Sequence, residues 1–462
     1  MLQPPQSLWW SALGDVTPRA PLEGHADVDV AVVGGGFTGL WTARELLRRD
    51  PSLRVSVLEA NVCGFGASGR NGGWASALYP QSPASVVTRY GEEAYHHLRH
   101  VLQDAVAELG AAAAADGIDA DVTQGGMLYA ARTHAQEHRL RAEIDEARAL
   151  GVGEADLAWL EPAAFDERLA ITGARGGTFS PHCARLQPAK LVRGLARVVE
   201  GLGARLCEDS RVTRITPARG RRRATVVTTR GSLHADVVVR ATEGYTPSLP
   251  GLRRHVAPLY SLMVATEPQP AAFWDRVGLA RYETFADARQ VVIYGQRTAD
   301  DRLAFGGRGA PYHFGSTVEP RYDLDEGTFE LLGQTLRELF PDLSGTITHR
   351  WGGPLGMPRD HSPFVTLDRT TGLGAAGGYT GDGVVLSRVC ASALADLIVD
   401  PGADTVHTRM PFVQHVTRPW EFEPLRWIGI NVGLSLAGAA DRREATEGTL
   451  SRASSLLERL LH

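Results

Sequence analysis

Hydrophobic residues run almost unbroken through DVAVVG over residues 29–34, recur at helical spacing in LWTARELLRR after Phe37, and return as a short run in RVSVL over residues 54–58. This change of period, from strand to helix and back, predicts one βαβ unit near the N-terminus. A long helix is predicted over residues 84–115, and its tail GAAAAADG suits a helix end because alanine has the best helix propensity. The stretch QPAKLVRGLARVVEGL, residues 187–202, predicts a helix started by Pro188. Strand-like runs follow in ARLCE, RVTRITP, ATVVTT and ADVVVRAT, and again between residues 256 and 308, including 262–266 and 290–294. Residues 325–340 place Phe329, Leu332, Leu336 and Leu339 on one helical face. The last third returns to a strand, the turn GAAGGYTGDG, and a helix beginning near Val384. No internal repeat of solenoid length is present.

Composition narrows the class. A chain of 462 residues suits two or three domains with a large interior, and 43% hydrophobic with 22% charged residues is ordinary for a globular protein. The 51 glycines, about 11% of the chain, exceed the usual ~7% and point to tight turns or close approaches of backbone to a ligand. A net charge of −5 and a pI near 6.3 argue against a nucleic-acid partner, which requires clustered basic residues. The one dense basic run, RGRRR over residues 219–223, falls between two strand-like segments and reads as a solvated hairpin tip. Lys190 is the single lysine, which removes that residue type from almost every catalytic role. Cys63, Cys183, Cys207 and Cys390 are widely spaced, so neither a metal site nor a disulfide framework is expected. The N-terminal stretch lacks a basic, then apolar, leader pattern, and no run reaches the ~18 apolar residues that span a bilayer, so the expected setting is cytoplasmic, without a membrane partner.

Gly34, Gly36 and Gly39 form G-x-G-x-x-G between the first strand and the first helix, and Glu59 ends the next strand. The first glycine permits the tight turn, the second lets backbone approach a pyrophosphate, and the third lets helix and strand pack closely. The helix start offers N–H groups and positive dipole to phosphates, while Glu59 can accept from ribose hydroxyls. The motif alone does not separate NAD from FAD. Five residues after Glu59, however, the chain reads GFGASGRNGGW over residues 64–74, a glycine-rich loop where a nicotinamide enzyme would continue into further βα repeats.

The order of DVAVVGGGFTGL, Glu59, GASGRNGGW, QPAKLVRGLAR, ADVVVRATEGYTP, LAFGGRG, RWGGPLGMPRDHSP and AAGGYTGDGV resembles the FAD-dependent D-amino-acid oxidase superfamily, within it the branch holding γ-glutamylputrescine oxidoreductase, glycine oxidase and sarcosine oxidase. The resemblance runs from about residue 26 to residue 400. It implies an α/β plus α+β fold: a Rossmann-type FAD-binding domain built from residues 26–85, 185–250 and 345–400, and a substrate domain with a large, mostly antiparallel sheet from residues 86–184 and 251–344, followed by a C-terminal extension over 401–462. It also implies FAD contacts at Gly34, Gly36, Phe37, Thr38, Gly39, Glu59, Ala60 and Val212, with Ser68, Arg70, Asn71, Gly72 and Gly73 on the loop, Arg70 near the phosphates. Gly378, Gly381, Asp382, Gly383 and Val384 would face the pyrimidine end of the flavin, where helix dipole stabilises the anionic reduced form. The loop has no histidine and residues 351–363 no cysteine, so the FAD is expected to be non-covalent.

For the substrate, the glycine-oxidase pattern W-x-G-x-R supplies an arginine for an α-carboxylate, but this chain reads Trp351, Gly352, Gly353, Pro354, Leu355. Leucine in that place favours an amine, or an amino acid held elsewhere; Arg308 and Arg359 are the alternative anion partners, each with a plain surface ion pair as its other reading. The expected reaction takes hydride from a C–H beside a neutral amine. His361, Tyr260 and Tyr294 are pocket candidates, and Trp74 is either a core anchor or a wall of the pocket. Oxygen is the expected acceptor, with a dehydrogenase as the alternative, because Lys190 lies in a helix of the FAD domain. Two further readings remain open: oxidation of an α-amino or 2-hydroxy acid, and a flavoprotein without catalysis. The partner is a small amine or amino-acid-like molecule, and the chain a monomer or homodimer. Residues 401–462, ending in a helical pattern over 451–461, would pack on the chain's own domain, close the substrate entrance or form a dimer face.

Overall fold

The computed structural model describes residues 6–447, except the side chain of Arg308. Two eight-stranded sheets organise them. The first begins with the expected unit: strand Gly24–Val33, helix Phe37–Arg49 and strand Val55–Leu58. Val30, Val32, Val55 and Val57 are buried, as a parallel sheet covered on both faces requires. Gly24–Val33 is central, pairing in parallel with Val55–Leu58 on one side and Gly231–Arg240 on the other. Arg205–Cys207 extends the sheet beyond Val55–Leu58, and Leu373–Gly377 with Phe364–Asp368 extend it at the opposite edge. Val212–Thr216 and Ala224–Thr228 form an antiparallel ribbon joined to Gly231–Arg240, and the basic run sits at its exposed tip.

One face of this sheet is covered by helices Phe37–Arg49, Pro188–Gly201 and Gly383–Val399. Pro188 stands in the first turn and the Gln187 side chain accepts the Lys190 N–H at 2.7 Å, which fixes that helix start. The single long helix expected over 84–115 is instead two, Pro83–Tyr90 and Glu92–Ala115, interrupted at Gly91 with φ +88°. Glycine adopts that left-handed backbone without a Cβ penalty, so a change of direction falls there although the apolar period continues past it.

The second sheet runs in the order Ile347–Met357, Ala257–Thr266, Leu303–Arg308, Ile293–Arg297, Thr284–Asp287, Met127–Ala130, Gly177–Ser180, Ala158–Leu160. All its pairings are antiparallel except that of Thr284–Asp287 with Met127–Ala130. Helix Glu326–Leu339 packs Phe329, Leu332, Leu336 and Leu339 beneath it, begun by an Asp325 cap on the Thr328 N–H at 2.8 Å. Strand Ile347–Met357 pairs along the whole of Ala257–Thr266, so the segment expected as 345–400 is divided between the two sheets. The physical reason is that long-range antiparallel register, invisible in local periodicity, decides which sheet a strand joins.

Residues 401–447 pack onto the chain itself. Asp360 receives hydrogen bonds from His415 Nε2 at 2.7 Å and Thr417 Oγ1 at 2.9 Å, and Trp420 Nε1 donates to the Met357 carbonyl at 2.8 Å. Helix Leu425–Glu447 then reaches the segment before strand Ile293–Arg297, where Asp441 accepts the N–H groups of Gln290 and Val291 at 2.7 and 2.8 Å. The helix expected over 451–461 lies outside the described residues.

Candidate active site

The carboxyl ends of the parallel strands open into a long trough. Its floor is the expected turn. Gly34 has φ +113°, and a Cβ there would sit 2.4 Å from the Ala241 carbonyl; one on Gly39 would sit 2.0 Å from the Gly34 carbonyl. Strand, turn and helix therefore approach as only glycine allows. Ser68 Oγ accepts the Phe37 N–H at 2.8 Å, so the loop after the second strand is fastened to the helix start. The Glu59 carboxylate is held by the N–H groups of Gly35 at 2.8 Å and Asn61 at 2.9 Å, and burial raises its pKa against those bonds. Across the trough, Tyr379 Oη and Thr38 Oγ1 are 2.9 Å apart, which ties the GGYTGDG turn to the first helix.

Glu243 stands in the wall with φ +40°. Its carboxylate accepts the Gly378 and Tyr379 N–H groups at 3.2 and 3.1 Å. Burial pushes its pKa up to about 7, against those two bonds and the Arg240 charge.

A second cavity adjoins the trough, and Ala67, Asn71, Leu355, Gly381 and Val384 line both. Its remaining walls come from Trp74, Tyr129, Ser261, Tyr294 and Asp382, with Arg70 at the side. The Trp74 ring stands edge-to-face against Tyr129 at 6.5 Å and Tyr294 at 6.1 Å. Tyr294 is bonded to Ser261 Oγ at 2.8 Å, and its ring is seated against Gly72 and Gly306, where a Cβ would be 2.5 and 2.6 Å away.

Twelve of the expected cofactor residues line the trough: Gly34, Gly36, Phe37, Thr38, Glu59, Ala60, Ser68, Asn71, Val212, Gly381, Gly383 and Val384. Gly39, Gly73 and Gly378 line neither cavity; they are packing and turn positions. Gly72, Arg70 and Asp382 face the second cavity. Arg70 does not line the trough: its guanidinium donates to Asp323 at 2.6 Å, the Gly352 carbonyl at 2.7 Å and Tyr245 Oη at 2.8 Å. The loop turns after Ser68 and carries Arg70 toward the second sheet, a change of direction that sequence order conceals.

Among the expected catalytic residues, Trp74 and Tyr294 line the second cavity, while Tyr260 and His361 line neither. Tyr260 alternates with Ser261 on one strand, so when Ser261 faces the cavity Tyr260 is buried on the opposite face against His313 and Tyr322. Arg359 pairs with Glu421 at 3.0 Å, the surface ion-pair reading. Arg308 ends strand Leu303–Arg308, and its side chain lies outside the described residues. Lys190 is bound to Asp121 at 2.9 Å and lines neither cavity.

Sequence reading missed Tyr129, Glu243 and Tyr245, and Trp9, whose Nε1 holds the Asn71 carbonyl at 2.8 Å. The one available signal was LWW in an otherwise polar N-terminus, where large apolar residues need a core.

The glycine turn, the fixed carboxylate at the second strand end and the long trough form a dinucleotide site whose close-packed backbone fits FAD. Residues 29–397 match the family model described as "DAO: FAD dependent oxidoreductase", and the chain belongs to this family of FAD-dependent oxidoreductases. It is 30% identical to the probable oxidoreductase OrdL of Rhizobium meliloti, covering 84% of this chain and 87% of that one. It is 27% identical to the gamma-glutamylputrescine oxidoreductase of Escherichia coli over 86% of this chain and 90% of that protein. The fold is shared with the crystal structure of glycine oxidase from Geobacillus kaustophilus, at a TM-score of 0.69 and 23% identity, with 84% of this chain and 99% of that chain covered. Among the described residues no helix is long and apolar enough to cross a membrane, and no cluster suited to a metal ion is present.

Proposed function

We propose that this chain oxidises the C–N bond of a small amine held in the second cavity, with FAD lying in the trough. The observation that carries the reading is the junction of the two cavities: Ala67, Asn71, Leu355, Gly381 and Val384 border both, and Leu355 and Val384 make it apolar. When bound, FAD supplies a hydride acceptor at its ring. Glu59 would hold the ribose end, the first turn of helix Phe37–Arg49 the phosphates, and the backbone of Gly381 and Gly383 the ring. Leu355 and Val384, at the junction, would exclude water around the reacting C–H, and Trp74 and Tyr294 would hold the remainder of the amine.

The FAD is non-covalent in this reading, since the four cysteines are buried and free and none lines either cavity. Oxygen is the proposed acceptor, and no lysine is available at the site to assist it. Oxidation of an α-amino or 2-hydroxy acid needs a cation to receive a carboxylate. Among the described lining residues of the second cavity Arg70 is the one cation, and Asp323, Gly352 and Tyr245 already occupy it. The relatives' printed names, gamma-glutamylputrescine oxidoreductase and glycine oxidase, support an amine or amino-acid substrate class.

The test is anaerobic mixing of the FAD-loaded protein with panels of amines, α-amino acids and 2-hydroxy acids while the flavin absorbance is followed. Bleaching by amines supports the reading; bleaching by acids alone overturns it. Acid precipitation that leaves flavin in the pellet overturns the non-covalent assignment.

A further inference from the structure

The second cavity carries two chemical features that oxidation of a simple amine does not require. The first is an aromatic corner. Trp74 is nearly perpendicular to both Tyr129 and Tyr294, at interplanar angles of 89° and 75°, so ring faces and edges of three π systems meet in one small volume. Its placement is fixed from several directions: Trp74 pairs with Arg185 in the two-stranded sheet, Tyr294 is wedged against Gly72 and Gly306, and Tyr129 lies on strand Met127–Ala130. The Trp74 Nε1 is buried with no hydrogen-bond partner. The second feature is Asp382, the one carboxylate among the cavity's described lining residues. It immediately precedes helix Gly383–Val399.

Aromatic rings and a carboxylate that line one cavity together favour a cation, because ring quadrupole and carboxylate attract the same charge, and the Arg70 guanidinium in the same wall is already paired with Asp323. Trp74, Tyr129 and Tyr294 line the second cavity alone, whereas the flavin side is marked by the shared residues Asn71, Leu355 and Gly381. A reacting amine at that junction must be neutral to release hydride, so a cation in the corner belongs to a different nitrogen. Resting on the proposed amine oxidation, we infer that the substrate is an aliphatic amine with a second, non-reacting ammonium group, held by Trp74, Tyr129 and Tyr294 under the field of Asp382. A straight-chain diamine is the simplest member of this class.

The test uses the FAD-loaded full chain with a straight-chain diamine, the monoamine of equal chain length, and tetramethylammonium as a non-oxidisable probe. Tetramethylammonium is expected to bind saturably, read by tryptophan fluorescence, and to compete with the diamine. W74L is expected to weaken its binding about ten-fold, within the range of a desolvated cation–π contact. The same variant lowers the diamine-to-monoamine ratio of kcat/KM by a similar factor, whereas a merely structural role would lower both rates together. D382N acts in the same direction, and Y294F, which keeps the ring, leaves the ratio within about two-fold. Should W74L misfold, a Tyr129→Leu variant carries the same expectation, with retained flavin absorbance as the check on folding. Bleaching by monoamines in preference to diamines, or tetramethylammonium binding unchanged in W74L and D382N, overturns this inference while amine oxidation stands. Bleaching by no amine at all overturns both.

Discussion

Trp9 Nε1 donates to the Asn71 carbonyl at 2.8 Å, so a residue near the N-terminus holds the loop that runs between the two cavities. Trp9 is buried edge-to-face on Trp351 at 6.0 Å, and its own carbonyl accepts from Gln187 Nε2 at 2.7 Å. Truncation of a buried aromatic to alanine costs about 3–5 kcal/mol, and loss of one hydrogen bond about 1 kcal/mol. Trp9→Ala is expected to lower the melting temperature by many degrees and to release FAD on dialysis, and Trp9→Phe to do both weakly. Unfolding curves with flavin absorbance after dialysis check this; full FAD retention in Trp9→Ala would show that the loop needs no such anchor.

The glycines of the turn should separate by what a Cβ meets. On Gly39 it meets backbone, the Gly34 carbonyl at 2.0 Å, and nothing there can yield; on Gly36 it meets the end of the Ser68 side chain at 2.8 Å, which can rotate. Gly39→Ala is expected to lose more than about 3 kcal/mol of stability, and Gly36→Ala to fold but bind FAD at least ten-fold more weakly. Denaturant melts of the apoprotein and FAD titration distinguish the two.

Glu243 gives a pH dependence whose sign is fixed. Its folded pKa is raised by burial to about 7 from an ordinary 4.5, so the folded state holds the proton where the unfolded state has lost it. Its contribution is complete below about pH 4.5 and is lost as pH rises through about 7, on the order of 3 kcal/mol in all. The apoprotein is therefore expected to lose stability against Glu243→Gln across that window and to run parallel to it above. Melting of both proteins at several pH values reads the difference directly; a constant gap throughout would contradict it.

Arg70 and Asp323 form an ion pair that joins the flavin-side loop to the substrate side, with Tyr245 Oη as a third member. Removing one partner leaves a charge poorly compensated in a buried place, which costs about 3–5 kcal/mol, whereas removing both can be nearly neutral. Arg70→Met alone is expected to be strongly destabilising, and the double variant Arg70→Met, Asp323→Leu to recover most of the loss. A double-mutant cycle of unfolding free energies measures this coupling.

Asp441 reaches from the C-terminal helix to the N–H groups of Gln290 and Val291, immediately before Val292 and Tyr294 of the second cavity. Asp441→Ala strips two donors of their acceptor at a cost of about 1–3 kcal/mol. Faster amide exchange over residues 290–294, with little change in the parallel sheet, is the expected readout.

What the sequence disclosed follows contact range. The βαβ unit was legible because strand, turn, helix and Glu59 are neighbours along the chain, each with its own local period or motif. The GGYTGDG turn was legible through resemblance and its position before a helix. Tyr260 was misplaced because only register decides whether Tyr260 or Ser261 faces the cavity. Arg70 was assigned to phosphates because its partners, Asp323 and the Gly352 carbonyl, lie more than 250 residues downstream.

The first strand finds one neighbour a few dozen residues away and the other in Gly231–Arg240, where His25 meets Ser232 across 207 positions. At ribosomal rates of about 5–20 residues per second, the N-terminal unit waits roughly 10–40 seconds before that edge can be covered, and longer for Leu373–Gly377 to complete the sheet. During this interval its buried valines lie along an open strand edge, the kind of surface that pairs with other chains. A fragment ending before residue 231 therefore lacks the strand that covers this edge and exposes it permanently.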